Sequence, residues 1–252
     1  MWSDDLPNHA APYRTEANLA RPLTKKVEFA QMGADASTQE GRRYADKTPR
    51  QRRADRRARL LSAGLELFGV EGFRGVTIEA LCAAASVSTR NFYEEFGSRE
   101  ALLIALHDEV NGSALRAVAA AIADVDGNDI AGRVRAGVGA YFGVMTSDRR
   151  WARIALVESV GVSAQAEEHR RAAVDSFVAL IDSEARRLGA AGLIEQRDWH
   201  LTAVALAGAL NGLVNTWSAN ADWSAIVPRI VDEAAGLITL ALTGTPCPPV
   251  RA

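Results

Sequence analysis

The feature that most constrains the fold of this chain is a pair of short helical segments, separated by three residues, between Thr77 and Phe96. The first segment, IEALCAAA, follows Thr77, whose hydroxyl can cap the free amides of a helix N-terminus. The second follows Ser88, which also stands where an N-cap is needed. Two helices joined by so tight a turn predict a helix-turn-helix unit.

The chain on both sides of this unit is predicted to be helical. Thr48 and Pro49 provide the N-cap and the first position of a preceding helix, which we expect Gly72 to end as a left-handed cap. Alternating β-branched runs bounded by turns are missing, so the sequence predicts an all-α fold. Apolar residues at helical spacing predict the remaining helices at about 98–123, 129–146, 148–161, 164–189, 197–219 and 222–243.

Positive charge is concentrated before the unit. Between positions 42 and 59, nine basic residues stand against Asp46 and Asp55, giving +7 in a chain whose net charge is −2. Such a block predicts an anionic partner, and a solvated arginine-rich helix is the alternative interpretation. The basic residues are Arg42, Arg43, Lys47, Arg50, Arg52, Arg53, Arg56, Arg57 and Arg59.

The second helix of the unit begins with side chains suited to base edges. In a helix-turn-helix, this helix enters the major groove. Arg90 can bind a guanine edge and Asn91 an adenine edge, each through two hydrogen bonds, with Thr89 beside them. The hydroxyl of Tyr93 can reach a phosphate. The sequence therefore predicts a double-stranded DNA operator as the partner.

The residue pattern resembles the TetR/AcrR family of bacterial transcriptional regulators over about residues 50–106. Beyond this region the likeness is one of helical character and length. It implies an N-terminal three-helix DNA-binding domain with a helix-turn-helix, followed by a larger helical ligand-binding and dimerisation domain. The residues that carry the resemblance are Thr77, Leu81-Cys82, Ala85-Ser86-Val87-Ser88, Tyr93, Phe96 and Ser98-Arg99-Glu100-Ala101-Leu102.

The sequence departs from the family pattern at three positions. Ser86 occupies the usual turn glycine, where a left-handed conformation costs roughly 1 kcal/mol. Arg90 replaces a residue that is commonly small. Arg99 stands where lysine is frequent and keeps a phosphate-facing cation. We also expect Glu94 and Glu95 to point away from the DNA backbone, which would repel them.

We predict a disordered tail at 1–47, a helix-turn-helix domain at 48–97, a ligand-binding and dimerisation domain at 98–243 and a flexible tail at 244–252. The internal Met32 is an alternative start that the sequence leaves open. The predicted DNA-binding residues are Arg52, Arg53, Thr77, Ser88, Thr89, Arg90, Asn91, Tyr93 and Arg99.

A ligand pocket is expected among the central helices. Aromatic residues and methionines at helical spacing are more often plain core, whereas Asn211 and Asn215, one turn apart in an apolar helix, need polar partners. The ligand-binding candidates are His107, Tyr141, Phe142, Met145, Trp151, Glu158, Phe177, Asn211 and Asn215.

Small residues one turn apart also mark the helix predicted at 197–219. Ala205, Gly208 and Gly212 form a ridge that permits close helix approach. The family resemblance implies a homodimer built from the last two helices, and we add Trp217 to this interface. Packing of the same ridge within one chain is the alternative.

These observations predict a homodimeric repressor that a small, apolar effector releases from its operator. No cofactor or metal is expected, because the histidines and the distant Cys82 and Cys247 lack ligand spacing. The N-terminal stretch lacks the apolar run of a secretory signal and no membrane-spanning run follows, so we expect a cytoplasmic protein. Two alternatives remain: an activator or architectural DNA binder without an effector, and an all-α enzyme, for which no catalytic set emerges.

Overall fold

The structure, a computed structural model, describes residues 48–218 and 226–244, with side chains described at 48–216 and 226–244. Every regular element within these ranges is helical, which confirms the all-α prediction. The predictions that lie outside the described residues are those for 1–47, including Arg42, Arg43 and Lys47, for the side chain of Trp217, and for 245–252.

The helices follow one another in the predicted order. A 3₁₀ turn, Phe73–Gly75, links the first two, and a π-helical segment, Ile154–Glu158, directly continues the sixth. The helices are α1 Pro49–Glu71, α2 Ile78–Ala85, α3 Thr89–Glu95, α4 Arg99–Ala123, α5 Ile130–Ser147, α6 Arg149–Arg153, α7 Ala164–Ala190, α8 His200–Ser218 and α9 Val227–Thr243.

The predicted helix starts are confirmed at three caps. The Thr48 hydroxyl accepts a hydrogen bond from the Gln51 amide at 3.2 Å, and Gln51 Oε1 accepts one from the Thr48 amide at 2.8 Å. Thr77 and Ser88 cap α2 and α3 in the same manner. Gly72 does end α1 with a positive φ of 86°, but its ψ of 153° is extended. The predicted left-handed cap is therefore wrong, because the chain runs directly into the 3₁₀ turn.

Three helices differ from their predicted limits by more than one residue, and the last of them, α9, begins at Val227, five residues later than predicted. The helix expected at 148–161 changes to a π-helical segment after Arg153 and ends at Glu158. A π turn rotates the following side chains, and here Ile154 is directed into the core of the N-terminal helices. α8 begins at His200, three residues later than predicted, because the Asp198 carboxylate accepts a hydrogen bond from the His200 amide at 3.0 Å.

Two apolar cores lie along the molecule, and α4 contributes to both. The N-terminal core joins α1, α2 and α3 around fully buried residues such as Leu60, Phe68 and Phe92, together with Leu102 of α4. Val118, farther along α4, belongs to the C-terminal core built with α5 to α9. The predicted domain boundary at 97/98 therefore falls just before a helix that is shared by the two cores, and it stays a prediction.

The turn between α2 and α3 places Ser86 in a left-handed conformation, with φ 51° and ψ 49°. Ser86 is the one non-glycine residue with positive φ in the part of the chain that the structure describes. This confirms that the turn needs the conformation for which glycine is suited. The Arg59 guanidinium donates to the Ser86 carbonyl at 3.2 Å and holds the turn against α1.

We expect Ser86→Gly to raise the free energy of unfolding by about 0.5 kcal/mol. Removing the Cβ relieves about 1–2 kcal/mol of left-handed strain, and the greater freedom of glycine in the unfolded chain offsets about 0.4–1 kcal/mol of it. Denaturant unfolding measures the difference. Ser86→Val is the matched opposite, since its branched side chain increases the strain, and a Ser86→Gly variant less stable than the parent would contradict this account.

Candidate DNA interface and ligand cavities

The outer face of α3 presents the polar residues that sequence reasoning assigned to DNA. Thr89 and Tyr93 are exposed, Asn91 is half-buried, and the Arg90 side chain is 88% exposed. Arg90 donates to Glu94 at 3.1 Å, but so exposed an ion pair is worth no more than about 1 kcal/mol. The guanidinium can therefore exchange this partner for a base edge.

The inner face of α3 holds the helix in place. Phe92 and Phe96 are buried. The Glu95 side chain is only 1% exposed and accepts hydrogen bonds from Arg53 and Arg56, both at 3.1 Å. Arg57 lies over the Phe96 ring at 4.4 Å. We call Arg53, Arg56, Arg57 and Arg59 the arginine brace, because each contacts the helix-turn-helix from α1.

The hydroxyls that cap α2 and α3 can still donate a hydrogen bond. Thr77 and Ser88 are exposed, and each hydroxyl oxygen accepts from an amide of its own helix. The hydroxyl hydrogen remains free to be donated to a phosphate oxygen. Arg52, half-buried on α1, directly precedes Arg53, the first residue of the arginine brace. Phosphate contacts by these three residues stay predictions.

Arg99 has a positioning contact inside the protein. Its guanidinium donates to the Val76 carbonyl and lies over the Phe73 ring, with 4.6 Å to the ring centroid. The side chain thus ties the start of α4 to the chain entering α2. Because the group is half-buried in these contacts, its predicted role at a phosphate stays a prediction.

An apolar cavity of about 90 Å³ lies among α4, α5, α7, α8 and α9. A water molecule needs roughly 10–15 Å³ of such space and also several polar partners, so an apolar cavity of this kind stays dry. Its apolar lining consists of Val118, Ile122, Ile130, Val134, Gly137, Val138, Val174, Phe177, Leu180, Ile181, Ala185, Leu188, Ala207, Leu210, Ile238 and Leu242.

One end of the apolar cavity is closed by an ion pair. Arg133 donates to Glu184 at 2.7 Å and to the carbonyls of Ile122 and Val125 at 2.7 and 2.9 Å. Burial raises the pKa of Glu184, but hydrogen bonds from Arg187 and Arg133 outweigh it and lower the pKa to about 2. The pair is therefore charged and mutually satisfied at neutral pH.

The other end carries two neutral polar groups. The Tyr141 hydroxyl donates to Asn211 Oδ1 at 2.7 Å, and burial raises the pKa of Tyr141. The Phe177 ring packs edge-on against Tyr141, with centroids 5.4 Å apart. Arg133 and Tyr141 are eight residues apart on α5, so the two ends are separated by about 12 Å along the helix.

A second cavity, of about 240 Å³, adjoins this end and is more polar. Phe177, Val174 and Asn211 line both cavities. The buried His107 also lines the second, and burial lowers its pKa, although its neighbour Asp108 opposes the effect. The remaining lining consists of Asn111, Ala155, Leu156, Val160, Arg170, Ala173, Gly212 and Asn215.

The structure brings five of the nine ligand-binding candidates together at these cavities: His107, Tyr141, Phe177, Asn211 and Asn215. The other four do not line either cavity. Phe142 and Met145 are buried in the C-terminal core, Trp151 packs between the two cores, and Glu158 is directed toward α1. We therefore do not carry these four forward as ligand contacts.

Sequence reasoning missed the charged members of the cavities. Arg133 is a charged residue amid small and apolar neighbours in AGRVRAG, which is a signal that could have identified it. Arg170 lies in the segment EEHRR, whose charges are typical of a solvated helix face, and yet it lines the second cavity. Glu184 shows no local signal, because its partner Arg133 is 51 positions away.

The segment after α5 links the second cavity to the DNA-binding helices. Arg153 donates to the Gly69 and Val70 carbonyls near the end of α1, at 3.3 and 2.9 Å. Glu158 accepts from Arg153 at 2.8 Å and from the Phe73 amide at 2.7 Å. We call this set of contacts the Arg153–Glu158 clamp. Ala155 and Leu156, which lie between Arg153 and Glu158 in the chain, line the second cavity.

The outer faces of α8 and α9 are small and apolar. Ala205, Gly208 and Gly212 are exposed, and a Cβ added at either glycine would meet nothing within 4 Å. Exposed Leu201 on α8 and Leu237 on α9 add apolar surface, with Leu201 80% exposed. Gly212 also lines the second cavity, and both the dimer interface and the intramolecular packing of this ridge stay predictions.

Three general properties complete the description. No helix among the described residues combines the length and the apolarity needed to cross a bilayer. Within the same residues, no group of three or more potential ligands could hold a metal ion. Cys82 is buried, and burial raises the pKa of its thiol, an effect that a hydrogen bond with Thr89 opposes.

Comparison with known protein families gives a match in the N-terminal helices. Residues 60–106 match the family model described as bacterial regulatory proteins, tetR family. A comparison with curated protein sequences finds no match.

Similar solved structures are all-helical regulators. One is a tetR-family regulatory protein from Rhodococcus RHA1, with a TM-score of 0.58 and 23% identity over 73% of this chain and 96% of that one. FadR from Bacillus subtilis, solved with stearoyl-CoA, has a TM-score of 0.62 and 16% identity, over 71% of this chain and 97% of that one. AibR, solved with isovaleryl coenzyme A and operator DNA, has a TM-score of 0.56 and 18% identity, over 72% of this chain and 97% of that one. At these identities, the likeness shows a shared fold.

Proposed function

We propose that this chain, a member of the TetR family of bacterial regulatory proteins, is a homodimeric repressor released from its operator by a small ligand with an apolar body. The chain is a DNA-binding transcriptional regulator with a helix-turn-helix. Repression, the dimer and release by a ligand are the parts we add.

One observation carries the proposal: a braced recognition helix and an apolar cavity lie in one chain, and the second cavity, which adjoins the first, is lined by residues within the Arg153–Glu158 clamp at the end of α1. The brace fixes α3 so that its polar start is presented outward. The cavity offers an internal site whose occupation can move the helices around it. Two sites joined by a defined contact are what ligand-controlled DNA binding requires.

DNA binding is supported by the exposed polar start of α3 and by its capped N-terminus. The positive end of the helix and the free hydroxyl hydrogens of Thr77 and Ser88 suit phosphate oxygens. Arg90 is exposed and Asn91 half-buried at the start of the same helix, and side chains of these types can bind base edges. Mapping the genomic fragments that the purified protein retains would identify the operator, and retention of none at low salt would contradict the proposal.

Base reading by Arg90 can be separated from phosphate anchoring by Tyr93. We expect Arg90→Ala to weaken operator binding about tenfold or more and to relax the preference at one base pair, because a two-hydrogen-bond contact is worth about 1–3 kcal/mol. Tyr93→Phe should weaken binding to all sequences equally. Fluorescence anisotropy on a set of single-base operator variants measures both effects.

The control is Arg171→Ala, which removes an exposed arginine from α7, outside the DNA-binding helices. Its affinity and specificity should equal those of the parent. If Arg90→Ala binds every operator variant equally less well, Arg90 contacts the backbone and our assignment to base reading is wrong.

The homodimer is supported by the exposed small and apolar face of α8 and α9. Helices that pack closely through a small-residue face bury the apolar side chains beside it. Leu237 and Leu201 are large, exposed and located on these two helices. A two-fold dimer would place two recognition helices on half-sites about 34–36 Å apart, one turn of DNA.

Ligand control is supported by the apolar cavity and by the regulators of the same fold. FadR from Bacillus subtilis was solved with stearoyl-CoA and AibR with isovaleryl coenzyme A. Molecules with an apolar acyl chain are therefore the first probes for this chain. An operator titration that no such probe alters would favour the alternative, a regulator without an effector.

A further inference from the structure

We propose that the two cavities form one site for an amphipathic molecule, with its apolar chain in the first cavity and an uncharged carbonyl at Asn211, where the second begins. This assignment rests on the proposed ligand control and names the chemistry and the orientation of the ligand.

The two cavities are continuous in their lining. Asn211 of α8 and both Val174 and Phe177 of α7 line both of them. A single molecule that extends past the Phe177 ring would therefore touch both sets of residues. The change in lining from apolar to polar occurs at this boundary, so a molecule whose polarity changes along its length matches it.

The Arg133–Glu184 end of the first cavity cannot take the polar end of the ligand well. Arg133 already donates to Glu184 and to two carbonyls, and Glu184 also accepts from Arg187. A polar group placed there would have to replace hydrogen bonds that are already made, at a cost of desolvation. The apolar chain should therefore point toward this ion pair.

The Tyr141–Asn211 end has hydrogen-bonding capacity to offer. Asn211 Oδ1 accepts from the Tyr141 hydroxyl, which leaves the two N–H donors of the same amide for a ligand. An amide N–H group recognises a carbonyl oxygen. The hydrogen bond from Tyr141 also fixes the amide orientation, so the donors are presented toward the boundary between the cavities.

The charges around the second cavity favour a neutral head. Arg170 makes two hydrogen bonds to Glu167, at 2.9 and 2.5 Å. His107 is kept neutral because burial lowers its pKa. The other polar groups facing this space, such as Asn111 and Asn215, are uncharged amides. A carboxylate would thus compete with Glu167 for Arg170, whereas a ketone, ester or thioester carbonyl would not.

The test uses four probes that share a ten-carbon chain: 2-decanone, decanoate, 1-decene and decanoyl-CoA. Isothermal titration calorimetry on the full-length protein measures their affinities without DNA. We expect 2-decanone to bind about tenfold more tightly than 1-decene, the value of one net hydrogen bond, and more tightly than decanoate. We expect decanoyl-CoA to bind no more tightly than 2-decanone, because the phosphates of coenzyme A add negative charges that a neutral head lacks.

Two variants locate the ligand in the cavities. Asn211→Leu removes the amide and should reduce 2-decanone binding about tenfold while leaving 1-decene unchanged. Ala185→Phe fills the apolar cavity and should abolish binding of both. Ala185→Ile is the smaller replacement if the phenylalanine variant unfolds, and Ala190→Phe, at an exposed position of the same helix, is the matched control.

Three outcomes would overturn the assignment: decanoate binding most tightly, Asn211→Leu leaving 2-decanone unaffected, or no probe binding at all. Probes that bind as expected but leave operator affinity unchanged would contradict the proposed release and would still support the site. The two proposals can therefore fail separately.

Discussion

Replacing Ala205 and Gly208 together by glutamate will convert the protein to monomers and weaken operator binding at least about 100-fold. A dimer that binds two linked half-sites has an affinity about 10²–10⁴ times higher than that of one subunit on one half-site. A monomer loses this gain. Both residues are exposed in the single chain, and a Cβ at Gly208 meets nothing within 4 Å. Two carboxylates brought to a two-fold axis would face their own copies and repel.

The same substitutions should not destabilise the single chain. Glycine in an exposed helix is less favourable than glutamate by roughly 0.5 kcal/mol, so Gly208→Glu helps the isolated helix. Sedimentation velocity gives the oligomeric state, and thermal unfolding gives the stability. The matched control is Gly143→Glu with Ala190→Glu, exposed small residues on α5 and α7. A glutamate variant that remains dimeric with full operator affinity would show that the interface is elsewhere.

Replacing Glu158 by alanine will separate ligand binding from DNA binding. The substitution leaves the Phe73 amide and the Nε–H of Arg153 without their acceptor, while Nη1 of Arg153 still donates to two carbonyls of α1. A buried donor left unpaired costs about 1–3 kcal/mol, and partial exposure of both groups places this site near the lower value. If the clamp transmits the effect of the ligand, the ligand will still bind, but the change in operator affinity, typically about 5–150-fold, will fall toward one.

Measuring operator affinity with and without 2-decanone tests this expectation. Glu158→Gln separates two roles, since its amide oxygen can still accept from Phe73 while its charge no longer balances Arg153. Glu195→Ala is the control, because Glu195 is an exposed carboxylate that also pairs with an arginine. An unchanged response in Glu158→Ala would show that the signal takes another path, such as along α4.

The local parts of the structure could be predicted from the sequence, and the distant contacts could not. Thr48, Ser88 and Phe92 follow from capping rules and helical spacing, which involve neighbours within a turn or two. The partners of Glu95 lie 39 and 42 positions away in α1. Nothing in the segment EEF indicates that one carboxylate is buried and its neighbour exposed, so sequence reasoning assigned both the same role.

The candidate ligand site shows the same limit. Asn211 and Asn215 were chosen because polar groups in an apolar helix need partners, and both line the second cavity. Glu158 is also among the ligand-binding candidates, but it accepts from the amide of Phe73, which is 85 positions earlier in the chain. A polar residue in an apolar context indicates that a partner exists, but only the fold decides whether the partner is a ligand or the protein itself.

The sharing of α4 between the two cores has a consequence for how the chain folds. Leu102, Leu103 and Leu106 complete the core of α1 to α3, although they lie beyond the helix-turn-helix. A fragment ending at residue 97 would lack these side chains and would expose the buried Phe68 and Phe92 faces to water. The DNA-binding helices therefore gain stability from a helix that also contributes to the C-terminal core, so unfolding should proceed as one cooperative transition.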